Sequence, residues 1–361
     1  MSHTGGRVPD YESERRLAEL RQTASQTGRV EGKGVAVQGA PFPQASPADG
    51  YYGIPLLKEP QWKKEVPLYF FVGGAAGASA IIASSAGWLS ADRDLVRKAR
   101  WIAAAGSVLS AALLTKDLGV PSRFINMLRV FKPQSPMSMG AWTLTVFSAS
   151  SVSAALANFL RAKELSAGPL ILLENGSGML AAASGLIMSS YTGVLIGATV
   201  VPVWNRHVGT LPMHFAASGL NSVVSILELM GHEDNRALNR LALAASAYEV
   251  AQGVAIESKR DRVNRPLQKG ASGFIVRIGG LLSGPAPLAL RIAYAVTGNK
   301  KLRRAAAVSS IAGSLLTRFG WMSAGKASAK DYALPLRPTY SKPEAPIKLH
   351  ERQDRAIKTS A

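Results

Sequence analysis

The 361-residue chain has an apolar fraction of 47% and no Cys, which excludes disulfides, thiolate zinc sites, iron–sulfur ligation and a cysteine nucleophile. Its 42 Lys and Arg outnumber 23 Asp and Glu, and a formal charge of +19 in a soluble chain points first to nucleic acid. The distribution excludes that reading, because long charge-free apolar runs alternate with short basic clusters, the pattern of a multi-pass membrane protein with its charges in loops.

Residues 1–65 form a polar N-terminal tail rich in Gly, Pro, Gln and Ser, with 9 basic and 8 acidic side chains. Such a segment buries too little apolar surface to order itself and is expected to be largely disordered alone. Acidic and polar residues follow Arg15-Arg16, so this pair is not a twin-arginine signal, and no cleavable signal is visible.

Residues 66–325 read as a transmembrane domain. A hydrocarbon layer of about 30 Å needs about 20 helical residues. The apolar runs predict about eight spans, at 66–90, 99–118, 137–160, 169–204, 211–230, 237–256, 271–296 and 305–323. The fourth run is too long for one straight span. Its Ser189-Ser190-Tyr191-Thr192-Gly193 stretch predicts a kink or a loosened turn. Pro285 and Pro287 should bend the seventh span. The spans are rich in Ala, Gly and Ser rather than Leu, so their association must come from close backbone packing. Gly73/Gly77 and Gly280/Gly284 have the spacing for it. Trp62, Trp101, Trp142, Trp204 and Trp321 fall near span ends, where the interfacial belt is their default role. Residues 326–361 form a polar C-terminal tail. An even span count puts both tails on one side. Basic residues near the membrane number 14 on that side against 12 on the other, so the positive-inside rule barely decides. The signal-free polar N-terminal tail is expected to stay in the cytoplasm.

The most informative connector lies between the second and third spans. Asp117 ends a helix, Gly119-Val120-Pro121 makes a turn, and Ser122-Arg123-Phe124-Ile125-Asn126-Met127-Leu128-Arg129 reads as a short amphipathic segment. Phe131-Lys132-Pro133-Gln134-Ser135-Pro136 then leads into the third span, which carries Trp142. Ser135 suits a helix cap and Pro136 a first turn. A plain connector has no need of Asn126, Arg129, Lys132 and Trp142 so close together. The loop is suited to docking a partner or framing a pocket at the membrane surface.

With three other stretches, this loop resembles the NrfD/polysulfide reductase membrane-subunit family. The others are Tyr51-Tyr52-Gly53-Ile54-Pro55 with Pro60 and Trp62, Pro67-Leu68-Tyr69-Phe70-Phe71-Val72-Gly73-Gly74, and Tyr191-Thr192-Gly193 leading to Pro202 and Trp204. The resemblance covers roughly residues 51–205. It implies an all-α membrane subunit of eight helices in two four-helix bundles, exchanging electrons with the quinone pool. It further implies that no cofactor is bound covalently or as a metal, with quinone or quinol as the exchangeable substrate. The implied partners are a ferredoxin-like Fe–S subunit and a catalytic subunit, often of molybdopterin type. The absence of Cys agrees with that division of labour. So do the histidines, since a b-type haem commonly needs two axial ligands and only His214 of five lies clearly within a span. Some members have a His in the first span beside the quinone, and this chain has none there. The four stretches would converge on the tail side, which is then the expected partner face, in a prokaryotic cell membrane.

Each charge at membrane depth needs an account. Asp117 is either an interfacial carboxylate, solvated or paired with Arg123, or a proton exchanger or quinol contact. His214 is either a structural hydrogen-bond donor or a group that binds a quinone carbonyl. Glu249 and Gln252 are three apart on one helix face. Glu249 is either in a buried ion pair with Arg318 or Arg277, or a relay acid at the midplane. Glu174 and Glu228, near the opposite face, are paired carboxylates or the end of the same proton path. Tyr191 caps the expected kink or bonds a quinone oxygen. Together Tyr191, Asp117, Arg123 and His214 are the candidate quinone contacts. The broken fourth span and Glu249 also fit a secondary transporter, although no inverted repeat relates the halves. A structural anchor without quinone chemistry is the third reading.

Overall fold

The computed structural model describes Glu19 and residues 57–89, 92–120, 122–163 and 168–331, the Arg123 side chain excepted. The Tyr51-to-Pro55 motif and most of both tails lie outside these residues. Within Leu57–Asp331 helices are the only regular elements among the described residues. In chain order the helices are α1 Glu65–Trp88, α2 Arg93–Asp117, the short α3 Arg123–Met127, α4 Pro136–Ala162 and α5 Gly168–Gly197. A short α6 Pro202–Arg206 and α7 Leu211–Leu227 follow, and α7 runs on as a π turn, Glu228–His232. The rest are α8 Arg236–Ser258, the short α9 Arg265–Gln268, α10 Gly270–Ser283, α11 Pro285–Thr297 and α12 Lys300–Lys330.

Local chemistry starts these helices where the sequence suggests. Ser135 caps α4 by accepting from the Ser138 amide, with Pro136 in the first turn. Asp92 caps α2, Asn235 caps α8 and Asn299 caps α12 in the same way, each satisfying amides that the first turn leaves open. Gly284 separates α10 from α11, so the proline break expected in the seventh span is present.

The fourth run differs from expectation. α5 continues through Ser189–Gly193 without interruption and ends at Gly197. Ser189 and Ser190 send their hydroxyls back to the Leu186 carbonyl, at 2.9 and 3.1 Å, so these weak helix formers are satisfied inside the helix. The break comes at 198–201, ahead of Pro202, which opens α6. Proline has no amide to give and disfavours a helical residue before it.

Among the described residues, four segments are long and apolar enough to cross a membrane: Glu65–Trp88, Pro136–Ala162, Gly168–Gly197 and Gly270–Thr297. Eight spans were expected from the sequence. α7 is as apolar as these but shorter, at 17 residues; α2, α8 and α12 are more polar, yet much of that polarity is turned inward. Arg100, Glu228, Glu249, Arg303 and Arg318 are all buried.

The helices pack as two four-membered bundles. α1, α2, α4 and α5 form the first; α7, α8, the α10–α11 pair and α12 form the second. α1 also packs against α7 and α12, so it belongs to the seam. A Cβ on Gly77 would strike the Gly185 carbonyl of α5, and one on Gly219 of α7 would come within 2.9 Å of Gly74. This is the small-residue packing that replaces hydrophobic drive in lipid. In the seventh span the packing glycines are Gly279 and Gly284, because Gly280 faces open space.

Two tryptophans also depart from expectation. Trp204 and Trp321 are core residues rather than belt residues. The Trp204 indole donates to the Trp321 carbonyl at 2.8 Å, and Trp62 stacks on Trp204 with ring centres 5.7 Å apart.

Candidate functional site

The polar centre of the second bundle is built from four helices. α7 supplies His214 in its first turn, α8 supplies Glu249 near its middle, α10 supplies Ser283 at its end, and α12 supplies Arg318. All four side chains are buried. His214 Nδ1 lies 3.6 Å from Glu249 Oε2, and the Ser283 hydroxyl donates to the same oxygen at 3.0 Å. Arg318 is within electrostatic reach of Glu249. Its guanidinium lies over the Phe215 ring, 4.0 Å from the centre, and donates to the Phe215 carbonyl at 2.8 Å.

Most buried polar atoms in proteins have partners. Here several have none among the described residues: His214 Nδ1, Glu249 Oε1, Arg318 Nε and Nη1, Thr317 Oγ1 and Trp321 Nε1. All belong to this cluster or its border. A low-dielectric site with open donors and acceptors is costly for stability.

Trp321 connects the cluster to the loop before α7. Its ring meets His214 edge-on at 6.1 Å and His207 at 5.2 Å. His207 Nε2 in turn lies 2.6 Å from Asn264 Oδ1. Burial holds the His207 imidazole below its usual range, and the Asn264 hydrogen bond partly offsets this.

The remaining expected residues are placed as follows. Glu174 sits between Arg100 and Arg161 and accepts from Asn158 at 2.9 Å. Glu228 is held by both arms of Arg291, at 2.7 and 2.8 Å, and by Arg303 at 3.1 Å. Both acids therefore sit in buried ion-pair clusters away from Glu249. Arg277 pairs with Glu257 instead of Glu249. Gln252 donates to the Tyr248 hydroxyl at 3.2 Å, not to Glu249. Asp117 accepts from the Lys63 amide at 3.4 Å, and its neighbour Lys116 pairs with Glu65. These contacts tie the start of α1 to the end of α2. The Tyr191 hydroxyl donates to the Pro136 carbonyl and the ring packs on Gly140, which locks α5 to the start of α4. No contact among the described residues joins Asp117 or Tyr191 to His214. The Arg123 side chain lies outside the described residues.

The α2–α4 connector presents a mixed surface. Asn126, Arg129 and Lys132 are exposed, and so are Ile125, Val130, Phe131 and Met137. Trp142 supports it from beneath, edge-on to Phe131 at 6.1 Å.

An all-helical domain of two bundles, with helices long and apolar enough to cross a membrane and ionisable groups buried inside it, is that of an integral membrane protein. The family model described as Polysulphide reductase, NrfD, matches residues 59–251, and the chain belongs to that family. Its members are membrane subunits of quinone-linked oxidoreductases, in complexes with Fe–S and catalytic subunits. The match runs from the segment before α1 into α8 and so includes His214 and Glu249. No curated protein matches the chain.

Of the two arginines that sequence reasoning set beside Glu249, Arg318 is near it and Arg277 is not. His214 lies 35 positions from Glu249 in the chain, and no local pattern announces their meeting. His207, Asn264 and Trp321 were missed as a connected set. Arg318 was legible, as a charge in the middle of an otherwise apolar run.

Proposed function

We propose that the chain exchanges electrons between the membrane quinone pool and a ferredoxin-like Fe–S subunit, which serves a catalytic subunit of molybdopterin type. Membership of the NrfD family supports the quinone link. The observation that carries the finer reading is the facing of His214 and Glu249 in a buried site with open hydrogen-bonding atoms. Each electron taken up by a quinone is matched by a proton, and an acid beside an imidazole is suited to deliver it. Glu174 and Glu228 are each clamped between two arginines, whereas Glu249 faces His214 and Ser283. The chain has no Cys, so in this reading the clusters that carry electrons onward belong to the partner. That partner docks on the connector surface of Ile125, Asn126, Arg129, Phe131 and Lys132. The tails lie on the same, cytoplasmic side.

The test is isolation of the native complex from membranes, with its subunits identified by mass spectrometry and quinol-driven cluster reduction followed optically. An Fe–S subunit that co-purifies and is reduced by a quinol analogue supports the reading. A chain that purifies alone, or a complex with no response to quinol, overturns it.

A further inference from the structure

A cavity of about 600 Å³ opens between α1, α5, α7 and α8. Its wall is almost wholly apolar, formed by residues such as Ile82, Leu186, Met213, Ala217, Leu220 and Leu241. It runs from Tyr248 and Ser189 towards Leu89 and Asn235, where α1 ends and α8 begins. The wall has few polar groups, namely Ser85, Ser189, Asn235 and Tyr248. Ser189 bonds the Leu186 carbonyl, the Tyr248 hydroxyl is held by Gln252, and Asn235 caps α8. A quinone ring needs free donors for its carbonyls, and this wall supplies few. A hydrocarbon chain needs none.

The end at Asn235 is electropositive. Arg236 and Arg240 lie on the first two turns of α8 and are exposed. Arg240 is three residues after Ala237 and four before Ala244, both of which line the cavity, so it borders the lining stripe. Neither arginine makes an ion pair among the described residues. The acids nearby are engaged: Asp94 with Arg97 and Lys98, Glu233 and Asp234 with Lys300, and Asp92 with His232.

We propose that this groove holds an acyl chain of an anionic glycerophospholipid, with the headgroup phosphate at Arg236 and Arg240. Charge complementarity at the mouth selects this occupant over a zwitterionic lipid, and the scarcity of donors in the wall selects it over a quinone ring. It does not depend on the redox reading above.

The full chain, in its complex, is purified in mild detergent and its retained lipids are identified by native mass spectrometry. Thermal midpoints are then compared after addition of phosphatidylglycerol or phosphatidylcholine. The wild type should retain and be stabilised preferentially by phosphatidylglycerol. That preference should fall about fivefold for each arginine replaced in Arg236→Gln and Arg240→Gln. Ala217→Phe, which fills the groove, should lose the retained phospholipid. Equal retention of the two lipids by the wild type overturns the proposal. So does a quinone, rather than a phospholipid, that leaves with Ala217→Phe. Should Ala217→Phe not fold, the two exposed arginine variants still decide.

Discussion

His214 Nδ1 and Glu249 Oε2 face each other across 3.6 Å at the centre of the second bundle, close enough to interact and too far for a hydrogen bond. Both side chains keep an open polar atom, and Ser283 donates to the same carboxylate oxygen that faces His214. Glu249→Gln preserves shape and the Ser283 contact but cannot exchange a proton. Turnover of the complex with a quinol analogue should fall about 10²-fold, while the amount of assembled complex stays level. A steady-state assay beside a co-purification gel checks this. Loss of assembly with normal specific activity would assign Glu249 a structural role instead.

Glu228 behaves differently. It is buried with Arg291 and Arg303, so Glu228→Ala leaves two buried guanidinium groups without their counter-ion. The expected cost is about 3–5 kcal/mol, read as a lower thermal midpoint in detergent. Replacing Glu228 and Arg291 together by Met should recover part of it. If the single variant melts like the wild type, the ion pair is not a structural support.

His207 lies between spans, and burial lowers its imidazole pKa. A depressed folded-state value means that the unfolded chain binds the proton more readily. The neutral ring therefore stabilises the fold above the unfolded value of about 6.5, and that contribution is lost as pH falls through the folded value. The midpoint of the wild type should drop on acidification more steeply than that of His207→Gln. Parallel curves would show that His207 does not titrate in this window.

The connector surface offers a binding test. Arg129→Glu and Lys132→Glu reverse two exposed charges, and Phe131→Ser removes an exposed ring. Each should weaken co-purification of the Fe–S partner by about tenfold without changing the thermal midpoint of the isolated subunit. Unaltered stoichiometry in all three would move the docking surface elsewhere.

Two glycines separate close packing from mere composition. Gly77→Ala drives a methyl group against the Gly185 backbone and should cost about 1–3 kcal/mol. Gly280→Ala meets open space and should be close to neutral. Detergent melting curves of the pair compare them directly.

Helix positions were largely legible because hydropathy and capping are local. Ser135 and Pro136 mark a start that the structure uses. The break in the fourth run was misplaced from 189–193 to 198–201, because serine hydroxyls can satisfy a helix from within while Pro202 cannot. Pairings were less legible. Arg291 and Arg303 reach Glu228 from 63 and 75 positions away, and tertiary packing alone brings them there. The same is true of His214 and Glu249. Trp204 and Trp321 sit at predicted span ends, yet packing of the α6 turn against α12 draws both rings into the core.

The place of α1 in the seam has a consequence for how the protein is made. It is the first of the long helices to leave the ribosome, and 78% of its most apolar window is buried by the rest of the chain. α2 follows it directly, but its partners α5, α7 and α12 arrive much later, α12 last. Until then its glycine faces have only lipid or the insertion machinery to lie against. Release of the nascent chain before α12 is complete should leave α1 without one of its seats, and such truncated chains become natural substrates for membrane quality control.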